Sequence, residues 1–218
     1  IYAVIYSAVV VVIVAFLLAG VSSLLKPRQD ANVELDKKKQ ILASLNIKNS
    51  PNAAAEYDNV IKSDPVINSK GDVVKENGGF EVANDAVDES NLPLYIAEVN
   101  GEKKYIIPMT GNGLWGGIWG YLALNDDCNT IYGVYFSHAS ETPGLGAKAD
   151  EWFQKGGKGE IVGKTAGQLA TTKDNGEIDA ITASTITTRS FLRAVNNAYA
   201  EYAKVVNPHA EADVHTSA

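Results

Sequence analysis

The densest run of reactive side chains is Asp179-Ala180-Ile181-Thr182-Ala183-Ser184-Thr185-Ile186-Thr187-Thr188, in which five residues carry hydroxyls. An amphipathic pattern follows at once. Phe191, Val195, Ala198, Tyr199 and Tyr202 recur at three-to-four spacing, which predicts a helix over 187–204 with one apolar face. The first turn of a helix has unpaired N–H groups and a partial positive charge, so it suits a phosphate. Arg189 lies one turn beyond Thr185, where it can add a charged donor. Two readings stand side by side. The hydroxyls cap the helix, or they seat a phosphoryl group. On residue types alone, capping is the simpler of the two.

Two glycine-containing strings lie upstream. They are Gly113-Leu114-Trp115-Gly116-Gly117 and His138-Ala139-Ser140-Glu141-Thr142-Pro143-Gly144-Leu145-Gly146. Pro143-Gly144 forces a turn, and Gly144 and Gly146 let backbone N–H groups come close to a ligand. Trp115 and Trp119 both have a plain reading as core residues, and for Trp119 that reading is preferred. Glu141 beside His138 resembles an acid/base pair, but no nucleophile or metal motif joins them. His138, His209 and His215 are too scattered to form a metal site, and the last two sit in a polar tail. Asp126 and Asp127 read as turn residues. Cys128 is the single cysteine, so neither an intrachain disulfide nor a thiolate cluster is expected.

The elements that position these residues can be read coarsely. Residues 1–25 carry no charge. As a helix they rise roughly 37 Å, enough for a hydrocarbon core of about 30 Å. A membrane anchor fits this length better than a signal peptide, whose apolar core is shorter. Lys26 and Arg28 follow, and by the positive-inside rule alone they put the next domain in the cytoplasm. Pro27 opens a polar stretch in which Val33, Leu35, Ile41, Leu42 and Leu45 recur, an amphipathic helix that ends at 49–51. Residues 63–91 read as loop with short pieces of structure. Strand signals over 94–99 and 103–107 flank Asn100-Gly101, a strong hairpin turn. A second hairpin joins 119–124 to 130–136, and 147–154 reads as a short helix ended by Gly156-Gly157.

The expected fold is therefore α+β. A single transmembrane helix (1–25) and a juxtamembrane helix or linker (26–50) precede a domain of antiparallel hairpins packed by helices (51–206), and a polar tail covers 207–218. Of 218 residues, 45% are hydrophobic, enough for a sizeable core. Lys plus Arg is 19 and Asp plus Glu is 26, giving a net charge of −7. An acidic domain without a basic stripe is a poor nucleic-acid binder, because phosphate contacts need surplus cations.

The segment 179–185 resembles the flavinylation motif Asp-x-x-Ser/Thr-Gly-Ala-Thr, matching at Asp179, Thr182 and Thr185. It departs at Ala183, where Gly is usual, and at Ser184, where Ala is usual. The resemblance implies that Thr185 forms a phosphoester with FMN, with Thr187 as a second candidate and Asp179 as a recognition residue. The 113–117 and 138–146 strings resemble elements of FMN-binding domains. They imply that Leu114, Trp115, Glu141, Thr142, Gly144, Leu145 and Gly146 line the flavin, while Thr182, Ser184, Thr187 and Arg189 serve the phosphate. With Leu25-Lys26-Pro27-Arg28-Gln29 and Ile41-Leu42, the chain resembles the NqrC family of the Na+-translocating NADH:quinone oxidoreductase (Nqr), with the RnfG family of the Rnf complex as a close relative. This implies an electron-transfer subunit without catalytic residues of its own, in a six-subunit complex of the bacterial inner membrane. Its partners would be membrane lipid and the other subunits, with flavin and iron–sulfur centres as neighbours, and its FMN domain would be periplasmic. No Gly-rich dinucleotide fingerprint follows a strand, so no NADH site is expected on this chain. A membrane-tethered binding module without redox function is the rival class.

Overall fold

A computed structural model describes residues 1–206, apart from the side chain of Asp85. The 207–218 tail, with His209 and His215, lies outside the described residues.

The chain divides into two compact units, Ile1–Lys38 and a second that begins at Lys39. Helix α1 (Tyr2–Ser44) runs through the boundary with Pro27 inside it. It is the one helix among the described residues long and apolar enough to cross a membrane. Val11, Phe16 and Leu18 are all well exposed in this first unit. Apolar side chains that face outward along a whole span suit lipid, and a helix satisfies every backbone group internally.

In the second unit α1 contributes Ile41 and Leu42, which are buried with Leu45 just beyond the helix end. The helix stops before the expected 49–51. Asn46 takes a left-handed φ of 62°, and the Ile47 amide returns to the Leu42 carbonyl. That is a Schellman-type stop, for which Asn is well suited. Asn46 also donates through Nδ2 to the Tyr132 carbonyl.

Helix α2 (Ala53–Val60), absent from the expectations, is capped by Asn52, whose side chain accepts from the Ala55 amide. The 63–91 region holds short strands, as expected. β1 (Ile61–Ser63) joins the main sheet. β2 (Val66–Ile67) and β3 (Val73–Lys75) pair with β4 (Leu92–Pro93) in a small second sheet.

The main sheet adds β5 (Tyr95–Val99), β6 (Glu102–Asn112), β7 (Gly117–Leu124) and β8 (Ile131–His138), in the order β1-β5-β6-β7-β8. All its pairings are antiparallel. The Asn100-Gly101 turn is present, with φ of 54° and 82°, the double left-handed turn that matches strand twist. β6 runs five residues past the expected 107, through Pro108. Its pairing with β5 has ended by Ile106, so Pro108 sits where β6 pairs with β7 alone. A missing N–H is tolerated in such an edge-like place. Trp119 is half-buried, opposite Thr110 and Ser137, and outside the core cluster, which corrects its reading as a core residue.

After β8 the chain makes a 3-10 turn (Gly146–Lys148) and one turn of helix, α3 (Ala149–Trp152), in place of a full helix over 147–154. Helix α4 (Thr185–Val206) then lies across the sheet. Phe191 meets Phe136 at 4.7 Å and Phe153 at 6.3 Å. Tyr202 donates to the Pro93 carbonyl at 2.8 Å, and Asn196 pairs with both the amide and the carbonyl of Leu169. These contacts fix the helix along its length, so its first residue, Thr185, has a defined position.

Candidate functional site

Two loops meet at the N-terminal end of α4, and one buried carboxylate joins them to the helix. Glu141 is 4% exposed. Its Oε1 accepts from the amides of Leu114 at 2.7 Å and Trp115 at 3.1 Å. Its Oε2 accepts from the Thr187 hydroxyl at 2.8 Å. Its own amide donates to His138 Nδ1 at 3.2 Å. A Cβ on Gly113 or on Gly146 would press directly on this carboxylate. Both positions therefore require glycine for close approach. The paired reading of Glu141 and His138 as acid and base gives way to a structural one: the carboxylate is spent on three internal donors.

The Thr142-to-Gly146 segment turns as expected. The Leu145 amide returns to the Thr142 carbonyl, and Gly144 has a φ of 77°. Thr142 and Gly144 are exposed, Leu145 is half-buried and Gly146 is buried. On the opposite loop Leu114 is 46% and Trp115 64% exposed, and Ile186 on α4 is 57% exposed. Exposed apolar side chains of this size around one polar bridge are a surface on which a flat ring can rest.

The hydroxyl-rich segment is anchored at alternate points. Ile178 and Ile181 are buried, whereas Asp179 and Thr182 are exposed. The Trp152 indole donates to the Asp179 carbonyl at 2.7 Å and leaves its carboxylate outward. A tight turn follows, closed by the Ser184 amide on the Ile181 carbonyl at 2.9 Å. Ser184 is buried, and its carbonyl accepts from both the amide and the hydroxyl of Thr188. The Thr188 hydroxyl in turn accepts from the Ile181 amide at 3.0 Å. Among these hydroxyls, that of Thr188 ties the preceding turn to the helix start. Thr187 is fully buried and committed to Glu141, while Thr185 is half-buried at the helix start.

Ala183 sits in this turn with a φ of 59°, the left-handed region that L side chains avoid. The residue usual at this place in the flavinylation motif is glycine, and the turn supplies the reason. Ala183→Gly should stabilise the protein by ~0.5–1 kcal/mol, the relief of strain outweighing the added freedom of the unfolded chain. A rise in the denaturant midpoint at constant slope checks it.

Arg189 is not the open donor that its spacing suggested. Its guanidinium grips Asp174 at two points, Nε to Oδ2 at 2.8 Å and a terminal nitrogen to Oδ1 at 2.6 Å. The cation that reaches Thr185 is Lys173, whose ammonium donates to the Thr185 hydroxyl at 3.1 Å. Neither Lys173 nor Asp174 was singled out by motif or spacing. The contact closes a loop of twelve residues, and no periodic signal marks it.

The Arg189 fork and the Thr171 hydroxyl hold the Asp174 carboxyl down from 3.8 to about 2. A depressed folded pKa stabilises the folded form above the ordinary carboxyl range and loses that effect as pH falls through the folded value. The turn around Asp174 should therefore stay fixed above about pH 4 and loosen towards pH 2. Backbone NMR shifts of Lys173 and Asp174 should titrate over that window in the wild type. In Asp174→Asn they should be flat and already displaced at neutral pH.

The sequence model of the FMN-binding domain matches residues 113–200, from the first glycine beside Glu141 to the middle of α4. A crystal structure of the Na+-translocating NADH-quinone reductase protein NqrC from Parabacteroides distasonis is 33% identical, with a TM-score of 0.75 over 84% of this chain and 97% of that one. The NqrC of Pasteurella multocida is 29% identical over 218 residues, 85% of this chain and 82% of that protein. That of Haemophilus ducreyi is 27% identical over 208 residues, 81% and 80% respectively. Of the two families that the sequence resembles, these relatives carry the name of the first.

Proposed function

We propose that this chain, which belongs to the NqrC family of Na+-translocating NADH-quinone reductases, is a membrane-anchored electron relay carrying FMN esterified through its phosphate to Thr185. The observation that supports it most is the company Thr185 keeps. Its half-buried hydroxyl opens a 22-residue helix and meets the ammonium of Lys173. Beside it, Glu141 ties the loop carrying exposed Leu114 and Trp115 to the same helix end. A phosphate requires a cation and a helix N-terminus, and a flavin ring requires apolar surface. The residues present fit both ends of such a group.

Among the hydroxyls, Thr185 is the best acceptor of the ester. Thr187 is buried and bonded to Glu141, the Thr188 hydroxyl is bonded to the Ile181 amide and the Ser184 carbonyl, and Ser184 is buried. Exposed Asp179 and Thr182 are available for a flavin transferase to read before it reaches Thr185. When bound, FMN supplies reversible electron transfer, and the chain's task is to hold it at a fixed distance from its neighbours. The ester prevents loss of the group, and α4, held by its contacts to Pro93 and Leu169, sets its place.

The family likeness supports a wider setting for this reading. The complex is a six-subunit Na+ pump of the bacterial inner membrane, with this chain crossing once through α1. Its FMN domain is periplasmic, and electrons pass between this flavin and neighbouring flavin or iron–sulfur centres. The Lys26 and Arg28 bias points the other way, and two charges are a small count beside the family's topology. A cysteine engineered near Asn100 should react with an impermeant reagent from the periplasmic face. Reaction from the cytoplasmic face alone reverses the topology.

The full chain, co-produced with a flavin transferase and purified in detergent, tests the relay. It should be yellow after denaturation, bleach on addition of dithionite when folded, and recover in air. A colourless chain from cells with an active transferase leaves the non-redox binding module in its place.

A further inference from the structure

Two carboxylates beside Thr185 are held in ion pairs, and Lys173 is a cation that no ion pair among the described residues takes up. Asp174 is held by Arg189, and Glu177 by Lys164 at 2.9 Å. Lys173 is exposed, and its ammonium rests on the neutral hydroxyl of Thr185.

The turn that carries Lys173 is held from two sides. It is a short 3-10 segment, Thr172–Asp174, ended by Asn175 at a φ of 60°. Below it, buried Thr171 donates its hydroxyl to Asp174 Oδ2 at 2.6 Å and accepts the amides of Asp174 and Gly176 on its carbonyl. Beside it, Arg189 of α4 holds the same carboxylate. Arg189 and Thr185 lie one turn apart on the same helix, so the Arg189–Asp174 pair fixes the spacing between Lys173 and Thr185.

We propose that Lys173 is the positioning residue of the Thr185 ester. A transferase would pass the FMN phosphoryl group from a flavin dinucleotide to the Thr185 oxygen, breaking the pyrophosphate bond so that the nucleoside monophosphate leaves and the hydroxyl proton goes to solvent. The Lys173 ammonium orients the hydroxyl before this transfer and is the counter-charge of the phosphodiester afterwards, while Arg189 acts through Asp174 to keep Lys173 in place. The proposal rests on the reading of Thr185 as the FMN-bearing residue. A phosphodiester carries one negative charge at neutral pH, and one cation outside any ion pair answers it. A charge-assisted contact at an exposed site is worth little in global stability, so the effect belongs to the ester and not to the fold.

The test uses the full chain in detergent, with limiting flavin transferase, comparing wild type, Lys173→Met and Lys173→Arg. The fraction esterified, read by intact mass, should fall about three- to fivefold in Lys173→Met, the effect of roughly 1 kcal/mol in the approach to Thr185. It should recover to within about twofold in Lys173→Arg. The phosphorus NMR resonance of the ester should move with salt up to about 1 M in wild type and Lys173→Arg, as the pair is screened. In Lys173→Met it should be flat. Esterification of Lys173→Met at the wild-type level, with a wild-type salt response, overturns the proposal. An unmodified wild type overturns the parent reading instead, and it does so in a different sample.

Discussion

Glu141→Ala should lower the melting temperature by roughly 6–12 °C and detach the Leu114–Trp115 loop from α4, the largest single-residue effect expected in this domain outside the hydrophobic core. The size follows from the donors left behind. Leu114 and Trp115 lie on an exposed loop that can turn its amides to water once the carboxylate is gone, so their loss is modest. Thr187 is fully buried, and its hydroxyl would lose its partner in a place that water does not enter. An orphaned buried donor costs about 1–3 kcal/mol, and the lost charge-assisted bonds add to it, for a total near 3 kcal/mol. At about 2–4 °C per kcal/mol for a domain of this size, the quoted range follows. Glu141→Gln should be milder, near 1 kcal/mol. Its amide oxygen still accepts from both loop amides, and its NH2 group can donate to Thr187. Calorimetry of the two variants side by side checks the order. Equal melting temperatures for wild type and Glu141→Ala would mean that the carboxylate bridge contributes nothing.

Thr185→Ala should abolish covalent flavin altogether, while Thr187→Val should leave it in place at the cost of stability. The asymmetry follows from burial. Removing the Thr185 hydroxyl takes away one surface contact with Lys173 and the attachment point, so the protein should fold normally and remain unmodified. Removing the Thr187 hydroxyl takes away a buried donor to Glu141, which weakens the bridge but spares the nucleophilic oxygen. In-gel flavin fluorescence after denaturation separates the two, with a chain produced without transferase as the blank. A fluorescent Thr185→Ala band and a dark Thr187→Val band would move the ester to Thr187.

The α+β class and the hairpins were legible in the sequence because they rest on local signals. Asn100-Gly101 dictates its own turn, and the Phe191-to-Tyr202 stripe dictates α4. The true start of α4 at Thr185 was less plain, because the apolar stripe begins only after the hydroxyl-rich first turn, where Thr188 bonds to the Ser184 carbonyl. Pro108 hid the second half of β6, since its tolerance depends on where β5 stops. At the site, the sequence singled out Glu141, Thr187 and Arg189 but not the pairings among side chains. Glu141 and Arg189 were both assigned to the ligand, and each is bonded within the chain instead, to Thr187 and to Asp174. Lys173 carried no mark at all, because its relation to Thr185 exists only once the intervening turn has closed. Residue types announce which chemistry is available, and partner choice emerges from contacts that no spacing rule encodes.

The central claim is that Thr185 bears FMN through its phosphate. Intact mass of the chain purified from its own membrane, followed by peptide mapping across 179–189, tests it most directly. A single adduct of FMN less one water, localised to Thr185, is the expected result. An unmodified mass in a preparation whose fellow subunits are fully loaded with their own cofactors would contradict it.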